Sequence, residues 1–99
     1  MATVYASYGK VGKRATNSVV ETWIGGSTRS ETITSSGTTA QGTLTAGKDD
    51  FVRVQCATNV AVVVGSNPTA TLATGMAVTG GIPEYFAVQS GDKIAVIDI

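Results

Sequence analysis

Ile82-Pro83-Glu84-Tyr85-Phe86-Ala87-Val88-Gln89-Ser90-Gly91-Asp92-Lys93-Ile94-Ala95-Val96-Ile97-Asp98-Ile99 holds two apolar runs separated by Ser-Gly-Asp-Lys. Strand alternation puts Phe86 and Val88 on one face with Ile94 and Val96, and Tyr85 and Ala87 on the other with Ala95 and Ile97. Read as a hairpin, the segment is apolar on both faces. One face is satisfied by the domain's own core, and in a 99-residue chain the other needs a second sheet or another protein molecule. Gly91 is expected to supply the positive φ of the turn.

The same punctuation runs back through the chain. Gly and Ser/Thr/Asn clusters interrupt stretches rich in Val, Ile, Thr and aromatic residues about every eight to twelve positions, and no segment has a helical period. The spacing predicts strands over 3–8, 18–24, 29–35, 38–45, 51–57, 60–65, 69–73, 75–78, 85–89 and 93–98. The fold class is all-β: one β-sandwich of short strands over residues 1–99, jelly-roll-like or immunoglobulin-like, with 1–16 as an N-terminal arm or basic loop. In 51–57, Val52, Val54 and Cys56 form a buried face and Arg53 and Gln55 a wet one. This strand is expected to pair with the apolar Val60-Ala61-Val62-Val63-Val64 across Thr58-Asn59, with Asn59 tolerating positive φ. The Ser/Thr-rich stretch 27–47 reads as exposed ribbon or loop.

Seven basic and seven acidic residues cancel, which gives no field for nucleic acid, membrane or acidic substrates. Charged residues make up only 14% of the chain, so much of its surface is Ser, Thr, Gly, Ala and Val, a composition suited to contact with protein. A single cysteine excludes an intrachain disulfide framework, and the start Met1-Ala2-Thr3-Val4-Tyr5 lacks the basic and apolar regions of a signal peptide. No run approaches the length of a membrane-spanning helix.

Candidate chemistry is sparse. The chain has no histidine, the commonest general base and metal ligand. Asp49-Asp50 are adjacent carboxylates that point to opposite faces of an extended chain and read as a solvated turn; calcium is the minor alternative. Gly9-Lys10-Val11-Gly12-Lys13-Arg14 has neither the spacing of a P-loop nor the helices that flank a Gly-x-x-Gly nucleic-acid clamp, and reads as a basic flexible loop. Pro68 disqualifies Asn67-Pro68-Thr69 as a glycosylation site. Cys56 reads as an inert core thiol. Tyr5, Tyr8, Trp23 and Tyr85 are read as core and interface packing before a sugar-stacking platform. No enzyme, cofactor or metal site is expected.

The stretches 52–57, 60–68 and 81–97 resemble small virion structural proteins of tailed bacteriophages. The similarity covers residues 51–99 and lies in strand and turn residues. It implies a β-sandwich that binds the outside of a capsid as a decoration or cement protein, with the major capsid protein or other virion proteins as partners. The same resemblance places the protein in the virion after synthesis in the host cytoplasm. Low charge and two-faced apolar strands add homo-oligomerisation. Lys10, Lys13, Arg14 and Arg29 are expected to meet acidic capsid surface, and Trp23, Tyr85, Ala95 and Ile97 to complete the interface. The alternatives are a tail-associated receptor- or glycan-binding module and another head or connector component.

Overall fold

The computed structural model describes residues 2–13 and 21–99, and the side chains of 2–11 and 28–99. Among the described residues, eight strands form two antiparallel sheets and no helix occurs. The strands are β1 (Thr3–Lys13), β2 (Glu21–Thr34), β3 (Ala40–Gln41), β4 (Phe51–Cys56), β5 (Val60–Gly65), β6 (Met76–Val78), β7 (Glu84–Ala87) and β8 (Lys93–Asp98). One sheet, A, has the order β2-β1-β4-β7, and the other, B, β3-β8-β5-β6. The fold is an all-β sandwich.

The core is built by alternation. Val4, Ala6 and Tyr8 of β1, Ile33 of β2, and Val52, Val54 and Cys56 of β4 point inward from sheet A. Val60, Val62, Val78, Ile94 and Val96 meet them from sheet B, and Phe86 and Val88 pack against the same cluster. Cys56 is buried, as its place on the apolar face requires. The inward partition of Phe86, Val88, Ile94 and Val96 is the one expected from sequence.

The strand partners differ from expectation. β4 does not pair with β5 across Thr58-Asn59; β4 lies between β1 and β7 in sheet A, and β5 between β8 and β6 in sheet B. A two-residue hairpin needs the positive φ of a primed turn, and Asn59 has none, since Asp49 is the non-glycine residue with positive φ. Asn59 instead accepts the Gly80 amide on Oδ1 at 2.8 Å. The final segment is likewise not a hairpin: β7 joins β4, and β8 joins β5 and β3. The Asp92 amide donates to the Gln89 carbonyl at 3.0 Å, and Gly91 has φ 90 while Ser90 does not enter the positive region. That is a type II turn, whose twist splays the flanking strands instead of pairing them.

Of the seven connections, five cross between sheets, and only β1–β2 and β5–β6 are sequence neighbours within one. This interleaving is of the jelly-roll kind; an immunoglobulin sandwich has three in-sheet neighbour pairs in its seven strands. The strand expected over 29–35 is not a separate element: residues 29–34 lie in the long β2, together with 21–24. The part of the expected 18–24 strand before Glu21 lies outside the described residues. The stretch Gly9–Lys13, expected as a loop or arm, is strand, because β1 continues beside β2 from Lys10 opposite Ile24 to Lys13 opposite Glu21. β4 accompanies β1 only as far as Gly9, so this distal part is a two-stranded ribbon. Tyr8 faces Arg29 while Lys10 faces Ile24, so residues 25–28 bulge where the ribbon leaves the sheet.

Residues 69–73 form no strand. The segment 66–75 crosses the outer face of sheet B and is held there by side chains in place of a ladder. Gln41 Nε2 donates to the Pro68 carbonyl at 3.0 Å and to Asn67 Oδ1 at 3.1 Å, Thr39 Oγ1 accepts the Ala70 amide at 2.8 Å, and Gly75 sits directly on Ala61. Ala61 and Ala95, which face outward from β5 and β8, are 2% and 0% exposed. The second apolar face expected from sequence is therefore split: Ala95 and the half-buried Ile97 lie on sheet B, on the side that the chain's own loop crosses, whereas Tyr85 and Ala87 lie exposed on sheet A.

Candidate protein-binding face

Two sites of the sandwich differ in character. At one end, residues 42–50 run between β3 and β4 and are clamped to β2. Glu31 Oε1 accepts the Thr43 amide at 2.9 Å, and Arg29 donates to the Thr45 carbonyl at 3.0 Å. The Ala46 amide and carbonyl bond to Asp92 and Gly91. The strand expected over 38–45 thus survives as the two-residue β3 followed by this irregular continuation.

Asp49 takes φ 62 and turns Asp50 inward, so the pair is not a solvated turn: Asp49 is exposed and Asp50 is 3% exposed. Asp50 accepts from Lys10 Nζ at 3.0 Å, from the Arg29 guanidinium and from the Gly47 amide at 2.7 Å. Burial alone would raise its pKa, but the Gly47 amide, the Lys10 hydrogen bond and charge, and the Arg29 charge together hold it below its ordinary 3.8. The Arg29 guanidinium also lies 5.8 Å from the centre of the Tyr8 ring. Tyr8, completely buried, has the one buried side-chain polar atom without a hydrogen-bond partner among the described residues. Burial, with the Glu31 charge adding to it, pushes the Tyr8 phenol up to about 12 against the opposing pull of the Ile94 backbone and Arg29.

This cluster is a structural latch. Lys10 and Arg29, expected to reach for an acidic partner, neutralise a buried carboxylate of their own chain, with 45% and 46% of their side-chain surface left in solvent. No group of three metal-ligating side chains occurs among the described residues, so Asp49 and Asp50 have no companions for calcium there.

The second site is the outer face of sheet A. Because Val4, Ala6 and Tyr8 of β1, Val52, Val54 and Cys56 of β4 and Phe86 of β7 point inward, their alternating neighbours are forced outward, and the register sets them in rows. Thr32, Tyr5 and Gln55 form one row; Ser30, Ser7, Arg53 and Tyr85 the next; Gly9, Phe51 and Ala87 a third. Tyr5 and Tyr85 are each 54% exposed, while Phe51, Arg53 and Gln55 between them are half-buried. An open depression of about 400 Å³ beside Tyr5 is lined by Gln55, Cys56, Ala57 and Gly81. In contrast to sheet B, no segment of the described chain crosses this face.

The residues expected at an interface do not converge. Tyr85 lies on the outer face of sheet A and Ile97, half-buried, on the opposite side of the sandwich. Ala95 is completely covered and presents nothing to another molecule. Tyr8 belongs to the core and not to a platform of exposed rings. Lys13 and Trp23 are placed by their backbone pairing on the ribbon, with their side chains outside the described residues, as is the whole of Arg14. Arg53 is absent from the expected interface residues, and Tyr5 is among them only as a core or interface aromatic; the available signal is their alternation with buried neighbours in β1 and β4. In comparisons with known proteins, no family model, curated protein or solved structure matches this chain.

Proposed function

We propose that this chain is a structural protein of a tailed-phage virion that attaches to the outside of the head shell and stabilises it by binding, without chemistry. The observation that carries the proposal is the outer face of sheet A, which no segment of the described residues crosses and where two half-exposed tyrosines flank an arginine on a four-stranded surface. Tyr and Arg dominate the energetic centres of protein interfaces, because each offers large contact area together with directed hydrogen bonds. The phage-like stretches contribute to it directly: Arg53, from the first, and Tyr85, from the last, are cross-strand partners.

Four strands at about 4.8 Å spacing and three rows of outward side chains make a face of roughly 400 Å². A stable one-to-one complex buries about 800 Å² per partner. A contact of half that size is weak alone and suits a shell that repeats the same site many times. The test uses head shells of the particle encoded with this gene, purified without the protein. Adding it back should give saturable co-sedimentation in many copies per shell, delay genome loss on heating, and fail with Tyr5→Ala/Tyr85→Ala. Absence of binding, or protein found only in the tail fraction of native particles, overturns the reading.

A further inference from the structure

Within the outer face of sheet A one charge has no counterpart. Arg53 sits in the middle row of an interior strand, between Ser7 of β1 and Tyr85 of β7, with Phe51 and Gln55 before and after it on the same face. It is half-buried, yet makes no hydrogen bond or ion pair among the described residues, although the other described arginine, Arg29, is engaged with Asp50 and Thr45. No position in the three rows around it is acidic. Ser7, the near neighbour on β1, is engaged with Ser30 at 2.9 Å. A planar guanidinium with its donors unused on a rigid sheet is preorganised for a two-point acceptor.

We propose that Arg53 is the specificity-determining anchor of this face and receives an aspartate or glutamate carboxylate from a partner protein, whose neighbouring apolar groups cover Tyr5, Tyr85 and the depression beside Gln55. Charge complementarity selects this occupant. Nucleic acid is disfavoured because its affinity is built from several neutralised phosphates, and the three described rows of this face hold a single cation. A second copy of the chain docked face to face about a two-fold axis would set Arg53 against Arg53 with no acid between them. The inference deepens the capsid reading by giving the chemistry of the shell's contact site, and rests on that reading only for the partner's identity.

Two measurements test it. In ¹H–¹⁵N spectra of the full chain, a blocked Phe-Glu-Phe peptide should perturb the Arg53 Nε–H together with the Tyr5 and Tyr85 amides. It should bind about fivefold more tightly than Phe-Gln-Phe, the factor that about 1 kcal/mol of charge pairing supplies. Arg53→Gln should abolish the preference, and Arg53→Lys, which keeps charge without the fork, should weaken it; the spectra of both variants report directly that they remain folded. Equal affinity for the two peptides, or perturbations centred elsewhere, overturns the proposal. On head shells, Arg53→Gln should bind at least fivefold more weakly than the parent. Equal binding by parent and variant removes the Arg53 anchor and leaves the capsid reading standing. A glutamate preference at Arg53 with no binding of the parent to shells removes the capsid reading and leaves the anchor.

Discussion

Replacing Asp50 by Asn removes one negative charge from the latch while conserving its shape. Asn Oδ1 can keep the Gly47 amide bond, so the losses are the contacts with Lys10 and Arg29. A charge-assisted hydrogen bond contributes about 1.5–3 kcal/mol when shielded. Here both cations are nearly half exposed and regain water when released, which reduces each loss to about 1 kcal/mol. The Asn amide adds a buried donor aimed at two cations, a further cost of about 1 kcal/mol. The total of about 3 kcal/mol corresponds to a fall in melting temperature of roughly 12–24 °C for a domain of this size. Thermal unfolding followed by circular dichroism measures it. The pH dependence supplies the sign. The Asp50 carboxyl titrates below 3.8 in the folded chain, so the unfolded chain takes up its proton first as pH falls. The stabilisation is therefore complete above the ordinary carboxylate range and is lost as pH drops through the folded pKa, and the gap between parent and Asp50→Asn should narrow there. A variant that melts within about 3 °C of the parent at pH 7, less than 1 kcal/mol by the same scaling, refutes the latch.

Alkaline titration followed by phenolate absorbance should show one of the three tyrosines ionising late. Tyr8, pushed up to about 12 from 10.0, stabilises the fold below pH 10 and loses that contribution as pH rises towards 12; Tyr8→Phe should delete the late step, and its persistence would exclude Tyr8 as the source. Gly91→Val should destabilise by about 1–2 kcal/mol through backbone strain at φ 90, since a Cβ there meets nothing within 4 Å. Denaturant unfolding of Gly91→Asn, which tolerates that region, should show a smaller loss, and equal losses would mean that strain at φ 90 is not the cause.

Much of the interior was legible along the chain, because burial follows local alternation. Val52, Val54 and Cys56 against Arg53 and Gln55 is a period that only a strand with one dry face satisfies, and the positive φ at Gly91 follows from a glycine in a tight turn. Part of the outer face of sheet A was legible on the same ground: Arg53 was assigned to a wet face, and Tyr85 to the face opposite Phe86 and Val88. Which strands pair was not legible. The same alternation serves a hairpin within one sheet and an arch between two, and backbone donors and acceptors carry no address; the unprimed turn at 89–92 and the better partners available to β4 in β1 and β7 decide it.

Asp50 was read as solvated because its two cations lie 40 and 21 residues away in sequence, and only the fold brings them to it. The cover over Ala61 and Ala95 came from a segment whose composition looked like another strand. Composition and alternation by themselves determined that this chain is an all-β sandwich and that Val52, Val54, Cys56, Phe86, Val88, Ile94 and Val96 face its core, since those depend on neighbours two residues away. Tertiary structure alone decided that sheet B closes on itself, that Lys10 and Arg29 are already neutralised, and that Tyr5, Arg53 and Tyr85 from three strands share one open face, because each depends on contacts between segments distant in sequence.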